Sequence, residues 1–242
     1  LQTACLHTLK WDHVSSFDIP THTCTIRHMY HNKITSFPAD IFKPLASLAD
    51  LYDMHETAYS MTINMVTDVK RAPRLSLSDF NDNLLTGSIP SSLGSLDALS
   101  YLVLAQNQFT GPVPSSFGSL DGLYAAYFVA TSVSGTIPPG FRSLSNLALM
   151  SFAQTTLSGE IPPSFGSLRN LQKLLLSSTQ LSGPLPSSLG SLPLTELVLG
   201  SAQFSGTVPL SFSSLSALTK LKLYDNDLTG SLPTNVSAQL PL

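Results

Sequence analysis

The most reactive side chains crowd into the first quarter of the chain. All six histidines (His7, His13, His22, His28, His31 and His55) lie there, and so do both cysteines, Cys5 and Cys24. "CLH" and "HTC" set thiols beside imidazoles, a pairing able to ligate a soft metal. The spacing fits no zinc motif, so no metal site is expected. The favoured reading is one Cys5–Cys24 disulfide; free thiols and a metal pair are the alternatives. Beyond residue 55 the chain has neither imidazole nor thiol. No Ser-His-Asp or Cys-His order stands out from the Ser-rich background. Carboxylates are sparse and scattered, which leaves no candidate for paired acid/base work. No Gly-rich phosphate loop is present. The chain therefore reads as a non-enzyme with no cofactor.

The rest of the composition narrows the class. Of 242 residues, 43% are hydrophobic, enough for a core, while only 11% are charged and the net charge is −3. A basic stripe to follow a phosphate backbone is missing, which argues against nucleic acid. No apolar run reaches the length of a membrane span. The opening "LQTACLHTLKWDH" has His, Lys and Asp where a signal peptide needs apolar residues, so a secreted protein would be met here in mature or partial form.

What must position any functional group is a repeat. The [TS]-G pairs put glycines at Gly87, Gly111, Gly135, Gly159, Gly183, Gly206 and Gly230, spaced 24, 24, 24, 24, 23 and 24 residues apart. Three residues after each comes a proline, from Pro90 to Pro233. Four residues before each stand Asn83, Asn107, Thr131, Thr155, Thr179, Ala202 and Asn226. In the unit "LDALSYLVLAQNQFTGPVPSSFGS", "YLVLA" alternates like a short strand with Leu102 and Leu104 inward. "TGPVP" turns into a second extended piece, and "SSFGSL" returns along the far side as a helical or 3-10 turn. A unit this small cannot bury its own apolar face, so the units must stack into a solenoid.

The pattern L-x-x-L-x-x-L-x-L-x-x-N-x-[LF]-[TS]-G-x-[IVL]-P-x-x-[LF]-G-x-L resembles the plant-type leucine-rich repeat of receptor ectodomains and polygalacturonase-inhibiting proteins. The resemblance runs from about Leu75 to Val236. It implies an α/β solenoid: a curved right-handed superhelix with a parallel concave β-sheet, a second sheet beside it, and about nine coils of 23–26 residues. Residues 75–236 are the regular repeats. Upstream, 32–74 read as irregular repeats, with Thr57 at the Asn position and Met61 and Asn64 replacing the glycine and proline. Residues 1–31 read as a capping segment, filled by Trp11, Phe17 and Tyr30 and pinned by the cysteines. Residues 237–242 are a tail. Asn235-Val236-Ser237 is a glycosylation sequon that fits an extracellular location.

Two sets of positions carry the functional expectations. Asn83, Asn107 and Asn226 are expected inside the coil, where an amide can donate and accept at once and bridge successive coils. Thr131, Thr155 and Thr179 occupy the same register with shorter reach. The opposing reading makes these threonines an exposed hydroxyl array. On the concave face the outward positions include Tyr101, Val103, Ala125, Tyr127, Val129, Leu149, Ser151, Lys173 and Leu175. These form an apolar stripe with aromatic members, expected to be exposed and to bind a partner.

The resemblance implies an extracellular recognition module for a protein, peptide or glycan, and inhibition of a wall-degrading enzyme as one form of it. A structural subunit of a cell-surface, cell-wall or multi-protein assembly is the alternative. Ice binding is a weaker one, and it requires an ordered Ser or Thr row on the outside.

Overall fold

The computed structural model describes residues 76–97, 99–234 and 236. The expected capping segment 1–31, the irregular repeats 32–74, Cys5, Cys24, the histidines, Asn235 and the tail 237–242 lie outside the described residues. The described part is a stack of seven coils, each giving one strand to each of two parallel sheets.

The first sheet is built from β1 (Ser76–Asp79), β3 (Leu99–Val103), β5 (Ala125–Tyr127), β7 (Leu149–Ser151), β9 (Lys173–Leu175), β11 (Glu196–Val198) and β13 (Lys220–Lys222), in that order. The second runs β2 (Thr86–Ser88), β4 (Gln108–Pro112), β6 (Ser132–Gly135), β8 (Thr156–Gly159), β10 (Gln180–Pro184), β12 (Gln203–Thr207) and β14 (Asp227–Thr229). Parallel strands joined this way wind right-handed, since a right-twisted strand packs back onto its sheet only in that sense. The first sheet pairs equivalent residues of successive coils, such as Tyr101 with Ala125 and Ala125 with Leu149. The second is staggered: Thr110, before the repeat glycine, pairs with Ser88, after it.

Local chemistry explains the coil. The seven repeat glycines all hold positive φ between 76° and 82°, a region open to Gly at no steric cost. Each repeat proline from Pro90 to Pro209 sits at φ between −60° and −66° just before a 3-10 turn, the value its ring imposes. Its carbonyl accepts the amide three residues on, as from Phe117 to Pro114 at 3.1 Å. The expected helical or 3-10 return is thus 3-10, in six turns from Ser91–Ser95 to Leu210–Ser214. The third residue of each turn (Leu93, Phe117, Phe141, Phe165, Leu189, Phe212) points into the core.

Inside the coil the Asn register divides. Asn107 Nδ2 donates to Phe80 O of the preceding coil at 2.7 Å and to Leu104 O and Ala105 O of its own. Its Oδ1 accepts Leu85 N of the preceding coil at 3.1 Å. Asn226 repeats this with Leu199 O at 2.8 Å and Phe204 N at 3.0 Å. Asn83 donates within its own coil to Phe80 O and Asn81 O. Thr131, Thr155 and Thr179 are buried, and each donates to the carbonyl three residues earlier, within its own coil. The hydroxyl-array reading therefore has no surface to act through at these positions.

Where the amide bridge stops, aromatic packing takes over. Phe128 and Phe152 of neighbouring coils stack at 4.5 Å with planes 5° apart. The division of labour sets a prediction. Asn107→Ala strips the buried Leu85 amide and the Leu104 carbonyl of their partner, and takes one of two partners from the Phe80 and Ala105 carbonyls, and should cost about 2–3 kcal/mol in urea unfolding. Thr131→Ala orphans only the Phe128 carbonyl and should cost about 1 kcal/mol. Equal costs would refute the bridging role of the amide.

Candidate functional site

The outward residues of the first sheet form rows because the sheet pairs equivalent positions. One row runs Tyr101, Ala125, Leu149, Lys173, Glu196, Lys220. The next runs Val103, Tyr127, Ser151, Leu175, Val198, Lys222. All nine positions expected to contact a partner lie on this sheet or, for Val129, just beyond β5. The structure thus brings them onto one face.

The face is less accessible than its sequence suggests. Ala125 is 0% exposed, Ser151 1% and Leu149 2%, and Val103 is also buried. Tyr101, Tyr127, Val129, Lys173 and Leu175 are half-buried. The cause is size alternation across the strands. Ala125 lies between Tyr101 and Leu149, and Ser151 lies between Tyr127 and Leu175. Larger neighbours overhang the small residues, so the expected continuous exposed stripe is instead a set of aromatic and aliphatic ridges. Tyr124, which the sequence reading passed over, adds to them: its ring centroid is 5.4 Å from that of Tyr101. It holds the position just before β5 where other coils carry Ser100, Ala148 or Gln172, and that aromatic departure was the available signal.

Electrostatics set one end of the face apart. Glu196 is gripped from both sides, by Lys173 Nζ at 2.6 Å and Lys220 Nζ at 3.1 Å. All three stand in one row on adjacent strands. Burial works to raise the carboxyl, but the hydrogen bonds and charges of the two lysines outweigh it and hold Glu196 below its ordinary value. The Tyr127 phenol is pushed up to about 12, first by burial and then by Tyr124 and Glu196. It is therefore a neutral hydrogen-bonding group at any working pH. With no histidine or cysteine beyond residue 55, this face offers contact surface and polar anchors rather than imidazole or thiol chemistry.

The Glu196 cluster has a pH consequence. A depressed folded-state value contributes stability above the unfolded value of about 4.5, which is lost as pH falls through the lower folded value. The thermal midpoint of the wild type should therefore exceed that of Glu196→Gln near neutrality, and the two should converge in acid once pH falls below the lowered folded-state value. A gap that stays constant across that range would contradict the assignment.

Comparison with known proteins fits this architecture. The Leucine Rich Repeat family model matches residues 98–120 and 170–192. No curated protein sequence matches. Among solved structures, a TDR receptor superposes with a TM-score of 0.74 at 30% identity over 89% of this chain and 37% of that one. The ectodomain of the Arabidopsis thaliana membrane receptor kinase GASSHO1/SCHENGEN3, solved with CASPARIAN STRIP INTEGRITY FACTOR 2, gives 0.71 at 28% identity over 89% of this chain and 23% of that one. The Arabidopsis receptor kinase HAESA, solved with the peptide hormone IDA and the co-receptor SERK1, gives 0.64 at 37% identity over 69% of this chain and 29% of that one. The chain spans well under half the length of each. The repeat matches and these superpositions place the chain in the plant-type leucine-rich repeat family.

Proposed function

We propose that the chain is an extracellular recognition module that binds a peptide or protein ligand on the outward face of its first sheet. Tyr101, Tyr124, Tyr127, Val129 and Leu175 supply the contact area. Lys173 and Lys220, braced by Glu196, supply polar anchors at one end. The observation that carries the reading is the cluster of three tyrosines on adjacent strands, Tyr101 on β3 with Tyr124 and Tyr127 at β5, the Tyr101 and Tyr124 ring centroids 5.4 Å apart. Tyr is amphipathic and has few rotors to freeze, so it gives much contact at low entropic cost. Ligand binding by the related ectodomains supports the peptide class, and their setting in membrane receptors supports the location.

The test is a peptide-display selection on the full chain, followed by affinity measurement on variants. Tyr127→Arg combined with Val129→Glu should weaken the selected peptides at least about tenfold while circular dichroism stays unchanged. Unchanged affinity would discard this face as the binding site.

A further inference from the structure

A second exposed aromatic feature lies at the far end of the same sheet, and the tyrosine ridge does not account for it. Tyr224, two residues beyond β13, is 54% exposed. Its inner side rests on Gly200 of the preceding coil. A β-carbon on Gly200 would stand 2.6 Å from Cζ and 2.7 Å from both Cε1 and Cε2 of Tyr224. Near-equal distances to these three carbons mean that the ring lies flat over the glycine. An edge-on ring would separate the two Cε distances, and an end-on one would interpose its hydroxyl. The same register carries Ala105, Val129, Ala153 and Ser177 in other coils. Only a residue without a side chain lets the ring lie down.

The outer face of the ring is thus a flat, solvent-facing platform, and its surroundings are polar. Lys222 stands two residues earlier on the same face, is exposed, and makes no ion pair with a described residue. In the adjoining turn row, Ser201 Oγ donates to Asp225 Oδ2 at 3.2 Å. This is a flat aromatic face with an ammonium, a hydroxyl and a carboxylate on neighbouring residues. It suits a pyranose ring, whose C–H face packs on the aromatic while its equatorial hydroxyls reach polar groups around the edge. We propose that Tyr224, seated on Gly200, is a stacking platform for one sugar unit of an oligosaccharide, with Lys222 favouring a unit that bears a carboxylate. The site lies at β13, at the opposite end of the sheet from Tyr101, Tyr124 and Tyr127 on β3 and β5.

The test is calorimetric or NMR titration of the full chain with a neutral glucose oligosaccharide and a uronic-acid oligosaccharide of equal length. The wild type should bind both and prefer the acidic one. Tyr224→Ala should weaken both about tenfold, roughly the value of one stacked contact, and Tyr224→Trp should retain them. Gly200→Ala should weaken both although the tyrosine remains, because the added methyl lifts the ring. Lys222→Ala should remove only the acidic preference. Tyr127→Arg should leave all of this unchanged, which separates failure here from failure of the peptide-binding reading. No binding by the wild type overturns the proposal, as does equal binding by Tyr224→Ala. If Tyr224→Ala does not fold, undiminished binding by Gly200→Ala overturns it instead.

Discussion

Each coil exposes its leucines and phenylalanines until another coil is laid against it. Leu102, Leu104, Phe109 and Phe117 of one coil become fully buried only because equivalent residues press from above and below. The sheets follow from this stacking. Once coils stack, their strands lie side by side and their backbone groups pair coil to coil. Among the described residues nothing is arranged around a centre, and the surface is a sequence of seven local variations on one unit.

That constraint also makes the face legible. The first sheet pairs equivalent residues, so a row on the surface is a column in the aligned repeats. Tyr101, Leu149 and Lys173 could be placed in one row from the 24-residue period alone, and so could the inward course of Leu102 and Leu104. The turn at the repeat glycine and proline was readable for the same reason, because those residue types admit few conformations.

What depended on side-chain size across coils was not legible. Nothing in a single unit says that Ser151 vanishes beneath Tyr127 and Leu175, or that Gly200 is small because of a ring 24 residues later. The stagger of the second sheet was hidden too, because it arises from the glycine turn rather than from the apolar pattern. Lys173, one of the two lysines on Glu196, was visible as an outward residue. Their convergence on one carboxylate needed the register of three strands.

The run of threonines has a mechanical side. Asn107 ties its coil to the one before it, and Asn226 does the same near the other end. Between them Thr131, Thr155 and Thr179 bond only within their own coils, and Ala202 has no polar atom to offer. Four successive junctions therefore lack the directional tie found at either end. There the strand ladders, with bonds such as Phe128 N to Ser151 O at 2.9 Å, and stacked rings such as Phe128 and Phe152 hold coil to coil. The buried tie is an amide at the first and last described junctions and backbone ladders with apolar packing between them, so the run of threonines changes what holds the coils together rather than whether they are held.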